Sequence, residues 1–183
     1  MIAGLIGKIY KKNVTNILFN VNGVIYEVNM SLNSISNVKE NDTLLITQII
    51  REDSIVLYGF LDKNEKDLFD TLIKINGIGP KVAIAICSSF KAQDFINIVY
   101  SNDFMSLKKV PGIGEKMAKR IMVEISGKLE SIIPYSLPQH KKEAMEALES
   151  LGFKNMEVIR FVEDSKADNV ADIIKEVLKN IKK

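Results

Sequence analysis

The sequence predicts an α+β protein in which a small β-barrel precedes two helical segments. Short runs of β-branched and aromatic residues, separated by turn residues, fill residues 2–60, which is typical of strands. After this region the apolar residues recur at helical spacing. A stretch with two prolines and two serines interrupts the helical pattern at residues 131–140, which indicates a linker. We therefore predict domains at residues 1–62, 63–130 and 141–183.

Composition excludes several classes of protein. The chain has 183 residues, of which 46% are hydrophobic and 26% charged, with a net charge of +2, as expected for a globular protein. The apolar runs are shorter than the roughly 18 residues that span a bilayer, and the N-terminal pattern does not fit a signal peptide. We expect a cytoplasmic protein with no membrane partner. Because Cys87 is the only cysteine and His140 the only histidine, we expect no metal site and no cofactor.

The first 60 residues contain two predicted hairpins. Asn22-Gly23 divides two strand-like runs within residues 17–28, and this dipeptide favours a tight turn whose central residues both have positive φ. A second hairpin joins residues 43–50 to residues 55–60 through the polar turn Arg51-Glu52-Asp53-Ser54. About five short strands in this length predict a barrel of the OB type.

The remaining chain is predicted to be helical on both sides of the linker. Asp62 or Asn64 is available as the N-cap of a first helix, and apolar residues continue at helical spacing to about residue 130. Beyond the linker, residues 141–151, 156–164 and 170–181 form three short amphipathic patterns. These predict a small three-helix domain.

An internal repeat carries the predicted chemistry. Residues 72–86 and 107–121, offset by 35 positions, are identical at eight of fifteen positions, and both contain Gly-Ile-Gly followed by Lys and Ala. This pattern resembles the helix-hairpin-helix motif. The glycines would allow positive φ and close approach of a ligand, while Ile78 and Ile113 would anchor each hairpin in the core.

Each hairpin is a candidate site for a DNA phosphate. A helix is expected to start directly after each Gly-Ile-Gly, so unpaired N–H groups and the positive end of the helix dipole would face an anion. Such contacts position a duplex without reading its sequence. Basic residues also concentrate between residues 106 and 121, where Glu115 is the only acid. The predicted DNA-binding residues are Gly77, Gly79, Lys81, Gly112, Gly114, Lys116, Lys119 and Arg120.

Motifs along nearly the whole chain resemble the RuvA family of Holliday-junction branch-migration proteins. They are, in order, the opening Met1-Ile2-Ala3-Gly4-Leu5-Ile6-Gly7, the strand at residues 23–28, Arg51-Glu52-Asp53 before Leu57-Tyr58-Gly59-Phe60, the two hairpins, and Ala147-Leu148 followed by Leu151-Gly152-Phe153. The combination and its order are more specific than one hairpin motif.

The resemblance implies a non-catalytic subunit of an ATP-driven complex. Four subunits, or eight as two facing tetramers, would hold a four-way junction open, and the third domain, of the UBA-like kind, would recruit the hexameric ATPase RuvB. The resolvase RuvC is a further candidate partner. The implied roles are DNA recombination, DNA repair and the SOS response to DNA damage.

The resemblance also assigns an acidic pin to Arg51, Glu52 and Asp53, at the centre of the junction. Carboxylates among converging phosphates would repel them and keep the duplex arms apart. Without the resemblance, these acids would be read as solvated turn formers. Glu115 departs from the family pattern, since a lysine is frequent at this position, and we expect a carboxylate there to weaken the second hairpin's contact or to turn outward.

Four apolar residues of the third domain match the family's RuvB-binding surface: Leu148, Leu151, Phe153 and Leu178. From the residues alone, packing in the core is the better interpretation of each, because a small helical domain buries most of its leucines. Phe153, next to the expected helix cap at Gly152, is the residue that we expect to be most exposed.

Two other functions remain open at this point. Helix-hairpin-helix motifs also occur in DNA repair enzymes of the glycosylase and lyase type, which would place catalytic residues in a base-flipping pocket. The chain has no tryptophan, and we identify no acid-base pair. A generic adaptor, in which barrel and helices bind duplex or protein, is the other alternative, but it leaves the repeated hairpins unexplained.

Overall fold

A computed structural model describes residues 1–126, 138–153 and 155–181. The chain divides into two compact units, Met1–Ile133 and Pro134–Lys183, which are described separately below. Most of the predicted linker, residues 131–137, lies outside the described residues.

The N-terminal half of the first unit is a closed five-stranded barrel. Its strands are β1 (Gly4–Lys12), β2 (Asn16–Val21), β3 (Val24–Asn29), β4 (Asn41–Ile50) and β5 (Ile55–Phe60), in the order β1-β2-β3-β5-β4. All pairs are antiparallel except β3 with β5, and β1 closes the barrel against β4. The predicted OB-like barrel is confirmed.

Both predicted hairpins are present in the barrel. Asn22 and Gly23 have φ values of 50° and 94°, so the turn between β2 and β3 is of the expected type, and Val21 pairs with Val24. In the β4–β5 hairpin, Ile50 pairs with Ile55 across the polar turn. Alternate strand residues fill the barrel interior, including Ile17, Phe19, Val28 and Leu44, all with no exposed surface.

A short helix that the sequence analysis did not predict connects β3 to β4. Helix α1 (Leu32–Asn37) has Ser31 as its N-cap, and the Ser31 hydroxyl accepts a hydrogen bond from the Ser34 N–H. A serine cap stabilises a helix start. The segment is polar and only six residues long, so it lacks the apolar period by which helices are recognised.

The second half of this unit is helical, as predicted. Its helices are α2 (Lys63–Leu72), α3 (Pro80–Ser89), α4 (Ala92–Tyr100), α5 (Phe104–Leu107) and α6 (Glu115–Ser126). Asp62 is the N-cap of α2, and its carboxylate accepts a hydrogen bond of 2.9 Å from the Glu65 N–H. Cys87 is buried.

Helix α2 joins the barrel to the helical half. Phe69 packs its ring against Tyr58 and Phe60, with ring centroids 4.9 and 5.1 Å apart. Two polar links flank this contact: the Thr47 hydroxyl donates to Asp70 at 2.7 Å, and the Ser34 hydroxyl donates to Glu65 at 2.5 Å. Together they hold α2, and the hairpin after it, against the barrel.

The C-terminal unit contains the three predicted helices. These are α7 (Gln139–Ser150), α8 (Asn155–Asp164) and α9 (Val170–Ile181), and α7 begins two residues before its predicted start. Buried apolar residues of all three form one core, among them Ala144, Leu148, Val158, Val162, Ile173 and Val177.

Within the described ranges, no single helix has the length and apolar character to cross a bilayer. The pair α3 and α4 is long and apolar enough only when the two helices are taken together, and they are bent by 94° to one another.

Candidate nucleic-acid interface

The two Gly-Ile-Gly segments have the same backbone geometry. Gly77 and Gly112 have φ values of 85° and 84°, a conformation that glycine adopts readily and other residues rarely do. The hydrogen bonds also repeat at the offset of 35: Ile78 N–H to Ile75 O at 3.0 Å corresponds to Ile113 N–H to Val110 O at 3.1 Å. The sequence repeat is therefore a structural repeat.

Buried apolar residues fix each hairpin in place. Ile78 and Ile113, between the glycines, are only 5% and 6% exposed. Ala83 and Ala118, one turn into the following helices, have no exposed surface, and their N–H groups donate to Gly79 O and Gly114 O. The side chains thus point inward, and the backbone of each hairpin faces outward.

The second glycine of each hairpin has a different role from the one predicted. Gly79 has an ordinary extended φ of −87°, and Gly114 is also outside the positive-φ region. A Cβ atom added at either position would meet nothing within 4 Å. The missing side chain therefore relieves no backbone strain, and instead leaves open space in front of the helix N-terminus.

Helices α3 and α6 start at this open space. Among the hydrogen bonds of the described residues, none uses the N–H of Gly77, Gly79 or Lys81, and none uses the N–H of Gly112 or Gly114. Unpaired N–H groups at a helix N-terminus, together with the helix dipole, form a site for an anion. Each hairpin can therefore accept a phosphate group.

The lysine in each hairpin is available for such a phosphate. Lys81 and Lys116 occupy equivalent positions in the first turns of α3 and α6, and both are exposed. Neither takes part in a salt bridge with a described residue. Around Lys81 the sequence has no acid between Asp70 and Asp94.

The second hairpin carries a network of ion pairs that the sequence analysis missed. The Glu115 carboxylate lies 2.8 Å from the Lys119 Nζ and 3.3 Å from the Lys108 Nζ. These two lysines lower the pKa of Glu115 below its ordinary value. The Lys119 Nζ also lies 5.2 Å from the centre of the Phe104 ring. The i, i+4 spacing of Glu115 and Lys119 signals one of these pairs.

The two hairpins are neighbours on one surface. A Cβ on Gly77 would lie 3.4 Å from the Arg120 Nη1, and one on Gly112 would lie 4.0 Å from the Val82 Cγ2. Arg120 therefore extends from α6 to the first hairpin. Its Nε is also held by Glu124, at 2.9 Å from the carboxylate.

The predicted pin projects from the end of the β4–β5 hairpin. A hydrogen bond of 2.8 Å from the Arg51 N–H to Ser54 O closes the turn. Arg51, Glu52 and Asp53 are all exposed. The carboxylates therefore point into solvent, where they can meet an approaching phosphate.

A groove of about 980 Å³ runs from Arg51, the first residue of the pin, to the first hairpin. It lies between the barrel and α3, and its lining includes Arg51 on one side and Gly79 and Lys81 on the other. Met30 and Tyr58 contribute to its apolar part. Burial raises the pKa of Tyr58, and the positive charge of Arg51 opposes this shift. The structure thus brings the predicted pin and the predicted phosphate site onto one side of the unit.

The four apolar residues predicted to bind a partner differ in exposure. Leu148 has no exposed surface and packs inside the three-helix core. Leu151 is 61% exposed, and Leu178 is partly buried. Of the four, only Leu151 is well exposed.

The expectation that Phe153 is the most exposed of the four is wrong, because it is partly buried. Gly152 has a φ of 91°, and the Phe153 N–H donates to Leu148 O at 3.1 Å. This cap turns the chain back onto the helix and brings its apolar residues together.

Among the side chains that the structure describes, no group of three or more His, Cys, Asp or Glu residues is arranged to hold a metal ion.

Comparisons with known proteins identify the family of the chain. Residues 1–59 match the family model described as RuvA N terminal domain, and residues 69–126 match the SAM-like helix-hairpin-helix tandem. The chain is 47% identical over 183 residues to a protein of Nautilia profundicola, covering 100% of this chain and 98% of the relative, and 48% identical over 184 residues to one of a Nitratiruptor species, covering 100% of both. Both relatives are named Holliday junction branch migration complex subunit RuvA. By its matched domains and its full-length similarity, the chain belongs to the RuvA family.

Proposed function

We propose that this chain binds four-way DNA junctions as a non-catalytic subunit of a branch migration complex. The two hairpins hold the phosphate backbone of duplex arms, and the pin formed by Arg51, Glu52 and Asp53 lies at the point where the arms meet. The proposal places the protein in the cytoplasm, in DNA recombination and repair and in the SOS response to DNA damage.

The observation that carries this proposal is the duplicated hairpin. Two backbones with the same φ at Gly77 and Gly112 each present unpaired N–H groups, a helix N-terminus and an exposed lysine. One such site is common among helical connections, but two adjacent copies can hold two phosphates of the same duplex at once. Contacts of this kind are independent of base sequence, as expected for a protein that recognises a DNA shape.

The pin supplies the preference for a junction. Its exposed carboxylates repel phosphates, so a continuous duplex gains nothing by approaching them. At the centre of an open junction the strands diverge, and the same repulsion keeps them apart. The groove that contains both Arg51 and Lys81 supports a path for DNA from the pin to the first hairpin.

The proposal includes an assembly of four subunits, or eight as two facing tetramers, around one junction. ATP hydrolysis belongs to the partner, the hexameric ATPase RuvB, and the C-terminal unit of this chain binds that partner. Leu151, which is 61% exposed, supplies the clearest apolar contact, and Phe153 and Leu178 extend it. A site for the resolvase RuvC on the assembled complex is a further part of the proposal.

A gel-shift competition at fixed salt tests this function. The full chain, without ATP, is offered a four-way junction and a linear duplex of the same sequence and length. We expect the junction to be bound at least about tenfold more tightly, which corresponds to about 1.4 kcal/mol. If both DNAs were bound equally, the protein would bind DNA backbones without recognising junctions, and the pin would have no role in the preference.

A double substitution separates the pin from the hairpins. Glu52→Gln together with Asp53→Asn removes both carboxylates from an exposed turn, so folding should be unaffected. We expect binding of linear duplex to become stronger, because the repulsion of phosphates is lost, and the ratio of junction to duplex affinity to fall. An unchanged ratio would show that the junction preference arises elsewhere.

A further inference from the structure

The two hairpins differ most at the first residue of the second helix. In the first hairpin this residue is Pro80, which has neither a charge nor an N–H group. In the second hairpin it is Glu115, whose carboxylate lies between Lys119 at 2.8 Å and Lys108 at 3.3 Å. All three side chains are at the surface, with Glu115 52% exposed. The position that would face a bound phosphate therefore already carries an anion in the second hairpin.

The Glu115 carboxylate has the surroundings expected of a bound phosphate oxygen. Two ammonium groups contact it, and it belongs to the first turn of α6, where the helix dipole favours negative charge. Lys119 and Lys108 lower its pKa, so it is ionised at neutral pH. In the first hairpin the positions equivalent to Lys108, Glu115 and Lys119 are Ile73, Pro80 and Ile84, so no such ion pair can form there. Lys81, like Lys116, has no salt-bridge partner among the described residues.

We propose that Glu115 is a built-in counter-ion that competes with DNA for Lys108 and Lys119 and so weakens the second hairpin. This inference rests on the proposed function, because it concerns how strongly the second hairpin binds a backbone. A phosphate that enters this hairpin must separate two ion pairs and then lie close to a carboxylate. At the first hairpin, Arg120 is paired with Glu124 at 2.9 Å, but Lys81 is in no salt bridge with a described residue and the helix begins with the uncharged Pro80.

The consequence extends to the salt dependence of binding. A lysine that neutralises a phosphate contributes to counter-ion release, with a log–log slope of about 0.9 per neutralised phosphate. Lys108 and Lys119 share one carboxylate, so together they contribute less than two unpaired lysines would. The wild-type chain should therefore show a shallower salt slope than a variant that lacks this carboxylate.

The test compares Glu115→Gln with the wild-type chain for binding to a four-way junction and to linear duplex, over a series of salt concentrations. Asp172→Asn is the matched control, because it also removes one charge from an exposed carboxylate paired with lysine, at 3.2 Å from Lys175 on α9. We expect Glu115→Gln to bind both DNAs about threefold to tenfold more tightly and with a steeper salt slope. Asp172→Asn should bind as the wild type does.

Three results would overturn the inference. Affinity equal to or below that of the wild type would show that Glu115 does not compete with DNA. Equal gains in both variants would reflect net charge alone. A gain from Glu115→Gln that persists undiminished when Lys108 and Lys119 are both alanine would show that Glu115 does not act through them.

The proposed function fails separately, in the wild-type measurement. If the wild-type chain binds neither DNA, or binds with no salt dependence, the hairpins are not backbone-binding sites at all. If the wild type binds as proposed and only the Glu115 variant fails to differ, the function stands and the counter-ion is rejected.

Discussion

The first and second hairpins have the same backbone conformation but different electrostatic surroundings. Gly77 and Gly112 differ by one degree in φ, and Ile78 and Ile113 are buried to nearly the same extent. Yet Lys81 has no acid near it in the sequence, while Glu115 forms ion pairs with two lysines of the second hairpin. The comparison shows that core residues and glycines determine the shape of the site, and that exposed residues set its strength independently.

The helices that lead into the two hairpins also differ. Helix α2 has ten residues, packs on the barrel and carries the partly buried Glu65. Helix α5 has four residues and depends on its cap, Asp103, which accepts hydrogen bonds from the Ser106 N–H and hydroxyl. Both hairpins are anchored by buried apolar residues, but the helix before the second hairpin is much shorter and relies on its capping carboxylate.

Substituting Gly77 and Gly112 should have the largest effect and should destabilise both hairpins by similar amounts, because their φ values are equal within one degree. Gly77→Ala and Gly112→Ala place a side chain at positive φ, which destabilises the native state by about 1–2 kcal/mol and displaces the N–H groups that face the phosphate. We expect a lower melting temperature and weaker DNA binding from both variants.

Gly79→Ala and Gly114→Ala are the matched controls for these substitutions. Their added methyl group meets nothing within 4 Å, so stability should change little, but it occupies the space in front of the helix N-terminus. Weaker DNA binding at unchanged melting temperature is the expected result. Unchanged binding would mean that phosphate does not approach the second glycine.

Substituting the equivalent lysines should divide the two hairpins. We expect Lys81→Ala to weaken junction binding about fivefold and Lys116→Ala about twofold, since loss of a phosphate-binding lysine weakens binding to all sequences and Glu115 already opposes the second site. In the Glu115→Gln background the two losses should become equal. Fluorescence anisotropy at one salt concentration measures the junction affinity of all these variants. Equal losses from Lys81→Ala and Lys116→Ala in the wild-type background would show that the two lysines contribute equally.

The smallest effects are on the pH dependence of stability. They have opposite signs for Glu65 on α2 and for Asp103, the cap of α5. Burial raises the pKa of Glu65 above 4.5, although hydrogen bonds from Ser31 and Ser34 oppose this. The folded protein thus holds this proton more tightly than the unfolded chain does, so the contribution to stability is present below 4.5 and lost as pH rises through the raised pKa. Hydrogen bonds from Ser106 lower the pKa of Asp103 below 3.8, so its contribution is present above 3.8 and lost as pH falls through the lowered pKa.

Thermal unfolding between about pH 3 and pH 7 measures both contributions. Glu65→Gln should gain stability relative to the wild type as pH rises, because it removes a carboxylate that is buried when charged. Asp103→Asn should be less stable than the wild type at neutral pH and should lose this difference at the acidic end. Parallel curves for all three proteins would reject both assignments.

The sequence predicted the shape of the site better than its electrostatics. Asn22-Gly23, the period change after residue 60 and the repeated glycines are local signals, and the turn, the helices and the hairpins follow them. The contacts of Glu115 with Lys108 and of Arg120 with the first hairpin depend on how the helices pack, which local spacing does not encode. The cap at Gly152 was expected, but Phe153 was wrongly predicted to be exposed, because the cap turns the chain back so that the Phe153 N–H donates to Leu148 O.

The central claim is that the hairpins contact DNA through phosphates, and replacement of single phosphates by neutral methylphosphonates along a junction arm tests it most directly. Dissociation constants are measured for the wild type and for Lys81→Ala at each replaced position. The account predicts at least one position where neutralising the phosphate weakens the wild type severalfold but has little further effect on Lys81→Ala, as required of two groups that interact directly. If every replacement weakened both proteins equally, Lys81 and the first hairpin would not bind the backbone, and the account would be contradicted.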